Sequence, residues 1–188
     1  MASLGEIIRE SQLWKSIFRH PMPLDRRNRI VVMLTNFFLH LHPVSIKKQG
    51  IAEPQPGDCV FLHTGHGNIW GNSVYKKMNS EERARARVEF GAGEPGFGIS
   101  GCEYMASKDI ALMGGDTSSN DAQPSGEKGT AFAVHCHTEM QTRRGIWNLE
   151  NMDLKPLVDA KIYEFAFIWA PLKIIGGTGS PGNPIAIY

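Results

Sequence analysis

Short apolar runs alternate along this chain with segments of helical period, and this alternation limits the fold more than any other feature. Runs at Ile30–Leu34 and at residues 59–62 and 110–113 have the length of buried strands. Helices are predicted at residues 80–87 and 100–107, between and beside the later runs. Because strands and helices alternate without an interdomain linker, we predict one α/β domain.

The two ends of the chain add further elements. Residues 3–18 repeat apolar side chains with helical period behind a capping box. Residues 163–169 form the strongest strand-like run, and Ile185–Ile187 is a last short strand.

In a strand, His40 and His42 would share one face. A paired metal face and a half-exposed edge are both open interpretations of these two histidines.

Composition excludes several classes of function. The 188 residues suffice for one domain with a full core, and their net charge of +1 shows no electrostatic footprint for nucleic acid. The longest apolar run, residues 30–41, is too short to span a bilayer. Three widely spaced cysteines make no disulfide framework. We therefore expect a soluble, cytoplasmic protein in a reducing setting, with neither nucleic acid nor a membrane as partner.

The stretch from residue 131 to residue 151 contains the clearest candidate for chemistry. We predict a short helix at residues 138–144, ended by Gly145, and an extended segment at residues 146–149. His137 and Glu150 flank these elements, and imidazole and carboxylate are ligands of zinc and other divalent transition ions. A hydrogen-bonded core histidine and a solvated glutamate are the alternative interpretation.

Two further segments are candidates for ligand binding. After the strand at residues 59–62, a glycine-rich turn carries His63, His66 and Trp70, which suits a ligand pocket or a plain surface loop. Asp116 follows the strand at residues 110–113, at the end where open α/β sheets place ligands.

An ordered set of segments resembles one family, the cyclase-like metal-dependent hydrolases that include bacterial kynurenine formamidase and isatin hydrolase. The set covers residues 50–188, and its glycine-threonine-glycine-serine-proline end is the most diagnostic piece. The segments are Gly57-Asp58 with His63-Thr64-Gly65, Glu94-Pro95-Gly96, Gly115-Asp116, His135-Cys136-His137, Gly145 to Asn151, Ala170 to Lys173, and Gly177 to Pro181.

The resemblance implies a swivelling β/β/α fold, a single α/β domain with a mixed sheet and flanking helices. It also implies a dimer or tetramer whose one- or two-metal site, with zinc or manganese, hydrolyses small cyclic or linear amides or related esters. Such an ion lowers the pKa of a bound water and polarises the substrate carbonyl. On this basis we assign the candidate roles. They are His137 and Glu150, then His135, as metal ligands; His63 and Asp116 as catalytic residues; and His66, Trp70, Trp147 and Thr178 as substrate-binding residues.

Residues 1–49 depart from the family, whose N-terminal His-x-Gly-Thr-His-x-Asp signature supplies most of the metal ligands. The nearest match here is His40-Leu41-His42-Pro43, without the glycine-threonine pair or the aspartate. Three explanations stay open: a shortened relative without activity, a site completed by another chain, or replacement of the lost ligands by other histidines.

Three functional hypotheses follow. The first is a metal-dependent amide or ester hydrolase, and the second a non-catalytic, truncated homologue that binds a small ligand or serves as an assembly subunit. The third is cysteine catalysis by Cys136, for which a buried structural thiol is the alternative.

Overall fold

A computed structural model describes residues 30–34, 42–124 and 135–188, with the backbone alone for residues 30–34 and 42–45. The predicted helix at residues 3–18 lies outside the described residues, and so do His40 and the start of the stretch at residue 131. None of the helices in the described ranges is long and apolar enough to cross a bilayer.

Four parallel strands form the central sheet in the order β1-β2-β3-β4. Strand β1 spans Ile30–Leu34, β2 Cys59–His63, β3 Leu112–Gly115 and β4 Trp147–Leu149. Leu62 of β2 lies opposite Gly115 of β3, and Gly114 lies opposite Leu149 of β4. Since all four strands point the same way, the residues that follow them meet at one edge of the sheet. Strand β1 also joins residues before position 50 to the same sheet.

A separate antiparallel pair completes the strands, with β5 at Ala166–Ile168 and β6 at Ile185–Ile187. The predicted strand at residues 163–169 is therefore too long. Its partner β6 has only three residues, so the hydrogen-bonded ladder has only three residues on each side. With helices and both kinds of sheet present, the predicted α/β class is confirmed.

The helices connect and cover these strands. The helix at Ser80–Gly91 starts with a full capping box, in which the Asn79 side chain accepts from the Glu82 N–H and the Glu82 side chain accepts from the Asn79 N–H. The described residues contain the helices α1 His42–Gln49, α2 Ser73–Lys77, α3 Ser80–Gly91, α4 Ile99–Ser107, the π-helix His137–Arg143 and α5 Lys155–Asp159, and a 3-10 helix at His66–Ile69.

His42 is the first residue of helix α1. The predicted strand, in which His40 and His42 would share one face, is therefore wrong at His42. Pro43 follows it in the first helical turn, where the missing N–H costs nothing and the fixed φ suits a helix.

Apolar side chains cover both faces of β2. Val60 and Leu62 pack in one buried cluster with Met105 of α4 and Met140 of the π-helix. Phe61 points to the opposite face and packs in a second cluster with Leu112, Met152, Leu154 and Phe165. A parallel strand buried on both faces is typical of an α/β fold.

Cys102 and Cys136 are joined as a disulfide across 34 residues of sequence, with Cα atoms 5.5 Å apart. The expectation of no disulfide was wrong because spacing along the sequence does not reveal that α4 packs against the π-helix. Both cysteines are fully buried, and the bond leaves Cys136 without the thiol that cysteine catalysis requires. Cys59 keeps a free thiol, and burial raises its pKa to about 11.

Candidate metal centre

Three of the predicted site residues lie at the carboxyl edge of the parallel sheet. His63 is the last residue of β2, Asp116 directly follows β3, and Glu150 directly follows β4. The registers set these ends side by side. The edge carries two polar clusters, one around Asp116 and one around Glu150.

Asp116 holds the turn after β2. Its Oδ1 accepts from the Thr64 N–H and hydroxyl, both at 2.8 Å, and its Oδ2 accepts from the Gly65 N–H at 2.8 Å. Gly67 approaches so closely that a Cβ there would lie 3.1 Å from the Asp116 Cβ. His63 Nε2 lies 3.8 Å from Asp116 Oδ2. Both carboxylate oxygens thus organise the loop, and the catalytic roles of His63 and Asp116 stay predictions.

His66 and Trp70 face a different neighbour. Their rings stack on Phe90 of α3, with centroids 5.1 and 4.9 Å away. Trp70 also lies 6.3 Å from the ring of Tyr75. These contacts anchor the turn on helix α3, and a substrate-binding role for either residue stays a prediction.

His137 and Glu150 meet in the second cluster. His137 is the first residue of the π-helix, and Gly145 ends the turn beyond it with the predicted left-handed φ of 67°. The chain then returns through β4, which brings Glu150 back to the start of the helix. His137 Nε2 lies 3.0 Å from Glu150 Oε1. A π-helix at a functional residue is a recurrent feature of proteins.

Asp121 lies behind His137 and was missed at the sequence level. Its Oδ2 accepts from His137 Nδ1 at 2.6 Å, and its Oδ1 accepts from the Cys136 N–H at 2.7 Å. Asp121 is almost fully buried, whereas the His137 side chain is 30% exposed. The hydrogen bond to Asp121, with that to Glu150, raises the pKa of His137 to about 9.

The imidazole of His137 therefore lies between two carboxylates. Because a carboxylate can only accept, Asp121 requires the proton on Nδ1, which leaves the Nε2 lone pair facing Glu150 Oε1. A proton shared by these two atoms satisfies both in the ion-free protein, and a divalent ion bound by both would take its place. One nitrogen and one oxygen ligand suit a zinc or manganese ion.

Asn148 adjoins this pair from β4. Its Nδ2 donates to Glu150 Oε1 at 2.7 Å and lies 3.3 Å from His137 Nε2. On its other side Asn148 accepts a hydrogen bond from Asn120. In the part of the chain that the structure describes, no group of three or more His, Cys, Asp and Glu side chains is arranged to hold a metal. His137 and Glu150 offer one nitrogen and one oxygen donor, and their roles as metal ligands stay predictions.

The pair opens on a cavity of about 990 Å³. Trp147 and Thr178, both predicted to bind substrate, contribute to its wall. Trp147 meets Trp169 edge to face at 5.5 Å, so aromatic surface lies next to the polar pair. Other lining residues come from the C-terminal segment, including Pro171, Leu172, Ile174, Gly179, Ser180 and Pro181.

His135 lies two residues before His137, in the helical turn that leads into the π-helix. Among residues 135–188, the imidazole that meets Glu150 is that of His137. The roles of His137 and His135 as metal ligands both stay predictions.

Comparisons with known proteins find similarity in sequence and in fold. Residues 39–122 match the family model described as "Putative cyclase". An isatin hydrolase from Roseibium aggregatum is 31% identical over 129 residues, which cover 65% of this chain and 47% of the relative. The chain therefore spans about half the length of the curated relative that it matches.

Solved structures share the fold. A crystal structure described as a novel cyclase superposes with a TM-score of 0.61 at 21% identity, covering 85% of this chain and 53% of the other. A potential metal-dependent hydrolase with cyclase activity has a TM-score of 0.53 at 17% identity, covering 85% and 64%. The chain is therefore similar in fold to these cyclase-like structures, and similar in sequence to the "Putative cyclase" family model over residues 39–122.

Proposed function

We propose that this chain provides a divalent-metal site for hydrolysis of a C–N or C–O bond in a small cyclic or linear amide or ester. The observation that carries the proposal is the 3.0 Å approach of His137 Nε2 to Glu150 Oε1 at the mouth of the cavity. A zinc or manganese ion bound there would polarise the scissile carbonyl and activate a water.

The chain's own residues have separate tasks in this proposal. Asp121 fixes the orientation of His137 and keeps a proton on Nδ1, so that Nε2 is free to bind the ion. Trp147 and Trp169 offer flat apolar surface to the ring or side chain of the substrate.

Hydrolysis of isatin tests this function, because one relative is an isatin hydrolase. Purified chain is loaded with zinc or manganese, and ring opening is followed by absorbance and by proton release. We expect turnover that depends on the ion and is lost in His137→Ala and Glu150→Ala. Gln141→Ala is the matched control, since Gln141 is exposed on the π-helix and lines the same cavity. Ion-dependent turnover that persists in His137→Ala would reject the assignment.

A second candidate is a non-catalytic homologue that keeps the fold and binds a small ligand or serves as an assembly subunit. The absence of a three-residue His, Cys, Asp and Glu group among the described residues favours it. Turnover that follows added zinc or manganese would exclude this reading, whereas ligand binding without turnover would support it.

Assembly into a homo-oligomer, a dimer or a tetramer, is part of the proposal. Large apolar side chains of the C-terminal segment are exposed next to the cavity, among them Leu172, Ile174 and Ile175. Trp147 on β4 is also more than half exposed. Apolar surface of this kind is typical of protein–protein contacts.

A further inference from the structure

Glu94 carries a buried carboxylate whose partners are hydrogen-bond donors. The residue is 8% exposed, and no Lys, Arg or His side chain in the described ranges forms an ion pair with it. Its Oε2 accepts from the Ser118 N–H at 2.9 Å and from the Ser118 hydroxyl at 2.7 Å, and its Oε1 accepts from the Ser119 hydroxyl. Because a buried carboxylate is costly without such donors, Glu94 ties these two serines in place.

Residues 117–123 form the loop that carries both serines, and the segment around Glu94 also binds the backbone of this loop. Glu94 and Gln123 exchange both of their N–H to carbonyl hydrogen bonds, each at 2.8 Å. A Cβ at Gly96 would clash with the carbonyl carbon of Asp121, so the two segments meet without room for a side chain. The loop is therefore held against this segment by side chain and backbone together.

Two adjacent residues of the loop reach toward the two proposed metal ligands. Asp121 accepts from His137 Nδ1 at 2.6 Å and so orients the imidazole. Asn120 donates to Asn148 Oδ1 at 2.5 Å, and the Asn148 amide nitrogen donates to Glu150 Oε1 at 2.7 Å. The position of the loop therefore sets the position of the nitrogen and the oxygen donor at the cavity.

We propose that Glu94 is a positioning residue of the candidate metal centre, because it holds residues 117–123, from which the two proposed ligands are placed. Its hydrogen bonds in the described residues all go to this loop, so it acts on the ligands through Asp121 and Asn120. The effect on ion binding rests on the proposed metal function, whereas the placement of His137 can be measured in the ion-free protein.

Proton NMR of the full chain, kept free of metal by a chelator, tests this placement. A proton held in the short hydrogen bond from His137 Nδ1 to Asp121 gives a signal far downfield of the amide region, and His137→Gln identifies the signal by removing it. We expect Glu94→Ala to lose or broaden this signal, because the loop no longer holds Asp121 in one position.

Glu94→Gln is the conservative variant and should retain the signal. Its amide oxygen can still accept from Ser118, and its amide nitrogen can donate to Ser119 Oγ. The Ser119 hydroxyl proton then turns to the Asp121 carbonyl, which lies 3.2 Å from Ser119 Oγ. Loss of the signal in Glu94→Gln as well as in Glu94→Ala would overturn the role of these hydrogen bonds.

Zinc affinity, measured by isothermal titration calorimetry, is the second readout. Glu94→Ala should weaken zinc binding about threefold to tenfold, less than the roughly 10- to 100-fold known for groups that touch a metal ligand directly. Glu94→Gln should stay within about twofold of the wild type. A wild type that binds no zinc but shows the expected NMR signals would reject the proposed function and leave the placement of His137 by Glu94 intact.

Phe165→Leu is the control for a general loss of stability, since Phe165 packs in the cluster on the opposite face of β2 from Met140 of the π-helix. It should lower the midpoint of thermal unfolding and keep the downfield signal. An unchanged signal in Glu94→Ala would overturn the inference, and so would an equal loss of the signal in Phe165→Leu. A wild type without the signal would contradict the hydrogen bond on which the inference depends.

Discussion

Asp121 shows how a single buried residue decides what a histidine can bind. Its carboxylate accepts from His137 Nδ1 and from the Cys136 N–H, so the imidazole and the helix start are held by one side chain. A histidine whose Nδ1 proton is fixed in this way presents an unprotonated Nε2 to an ion. In the proposed metal site, the ligand His137 therefore depends on a residue that does not line the cavity.

Asp121→Asn should weaken zinc or manganese binding by roughly 10- to 100-fold, because an amide neither fixes the tautomer of His137 nor offsets the ion's charge as a carboxylate does. Isothermal titration calorimetry measures the change. Glu139→Gln is the control, since Glu139 lies on the same π-helix and pairs with Arg143 and Arg144 instead. An unchanged affinity for zinc or manganese in Asp121→Asn would contradict the role of Asp121 in orienting His137.

The proton on His137 predicts how stability varies with pH in the ion-free protein. Hydrogen bonds to Asp121 and Glu150 raise the pKa of His137 from 6.5 to about 9. The folded state then holds the proton more tightly than the unfolded state. The resulting stabilisation is complete below pH 6.5 and is lost as the pH rises to about 9.

Thermal unfolding in the presence of a chelator should therefore show a midpoint that falls across this pH window. His137→Gln should show a smaller fall, because the titrating group is gone. An equal decrease of the unfolding midpoint in the wild type and His137→Gln would contradict the role of His137.

A bound ion replaces the proton, so the affinity of the protein for the ion should rise over the same pH window.

At the scale of elements, the sequence predicted the strands and turns whose conformation is determined by residues nearby in the chain. The apolar run of β2, the capping residue Asn79 and the helix-ending Gly145 are each set by neighbours within a few positions. The predicted pair His137 and Glu150 also met, because a short helix and a tight turn return the chain on itself.

Contacts between distant segments could not be predicted in this way. Asp121 meets His137 across 16 residues, and Asn120 meets Asn148 across 28. A single sequence carries no signal for such pairs, since an aspartate and an asparagine in a polar loop have many local uses. The disulfide between Cys102 and Cys136 depends in the same way on the packing of two helices.

Gly145→Ala tests the turn that joins the π-helix to β4. A Cβ at Gly145 would meet no atom within 4 Å, so the expected cost comes from its φ of 67° alone. We expect a loss of about 1 kcal/mol in the free energy of unfolding, measured by urea denaturation. Gly179→Ala also meets open space but has no left-handed φ, and it should be neutral. Equal effects of the two substitutions would argue against the turn geometry.

At the scale of the whole molecule, the cavity has a polar pair on one side and exposed apolar surface on the other. Ile175 is fully exposed, and Tyr188 is 78% exposed. A partner that covers this face would bury apolar area and narrow the opening of the cavity. Assembly and the completion of the site are therefore linked in the proposal.

Light scattering coupled to size-exclusion chromatography should give the mass of a dimer or a tetramer for the wild type. Ile175→Asp should shift the mass toward the monomer, because a charge in an apolar contact is costly. Val88→Asp is the control, as Val88 is 76% exposed on helix α3. A monomeric wild type would reject the proposed oligomer.

Metal content tests the central claim most directly. The purified chain, incubated with zinc or manganese and freed of excess ion, is analysed by elemental mass spectrometry beside His137→Ala and Glu150→Ala. The account predicts at least one equivalent of ion per chain in the wild type and a large loss in both variants. A wild type that retains neither ion, or variants that retain as much as the wild type, would contradict it.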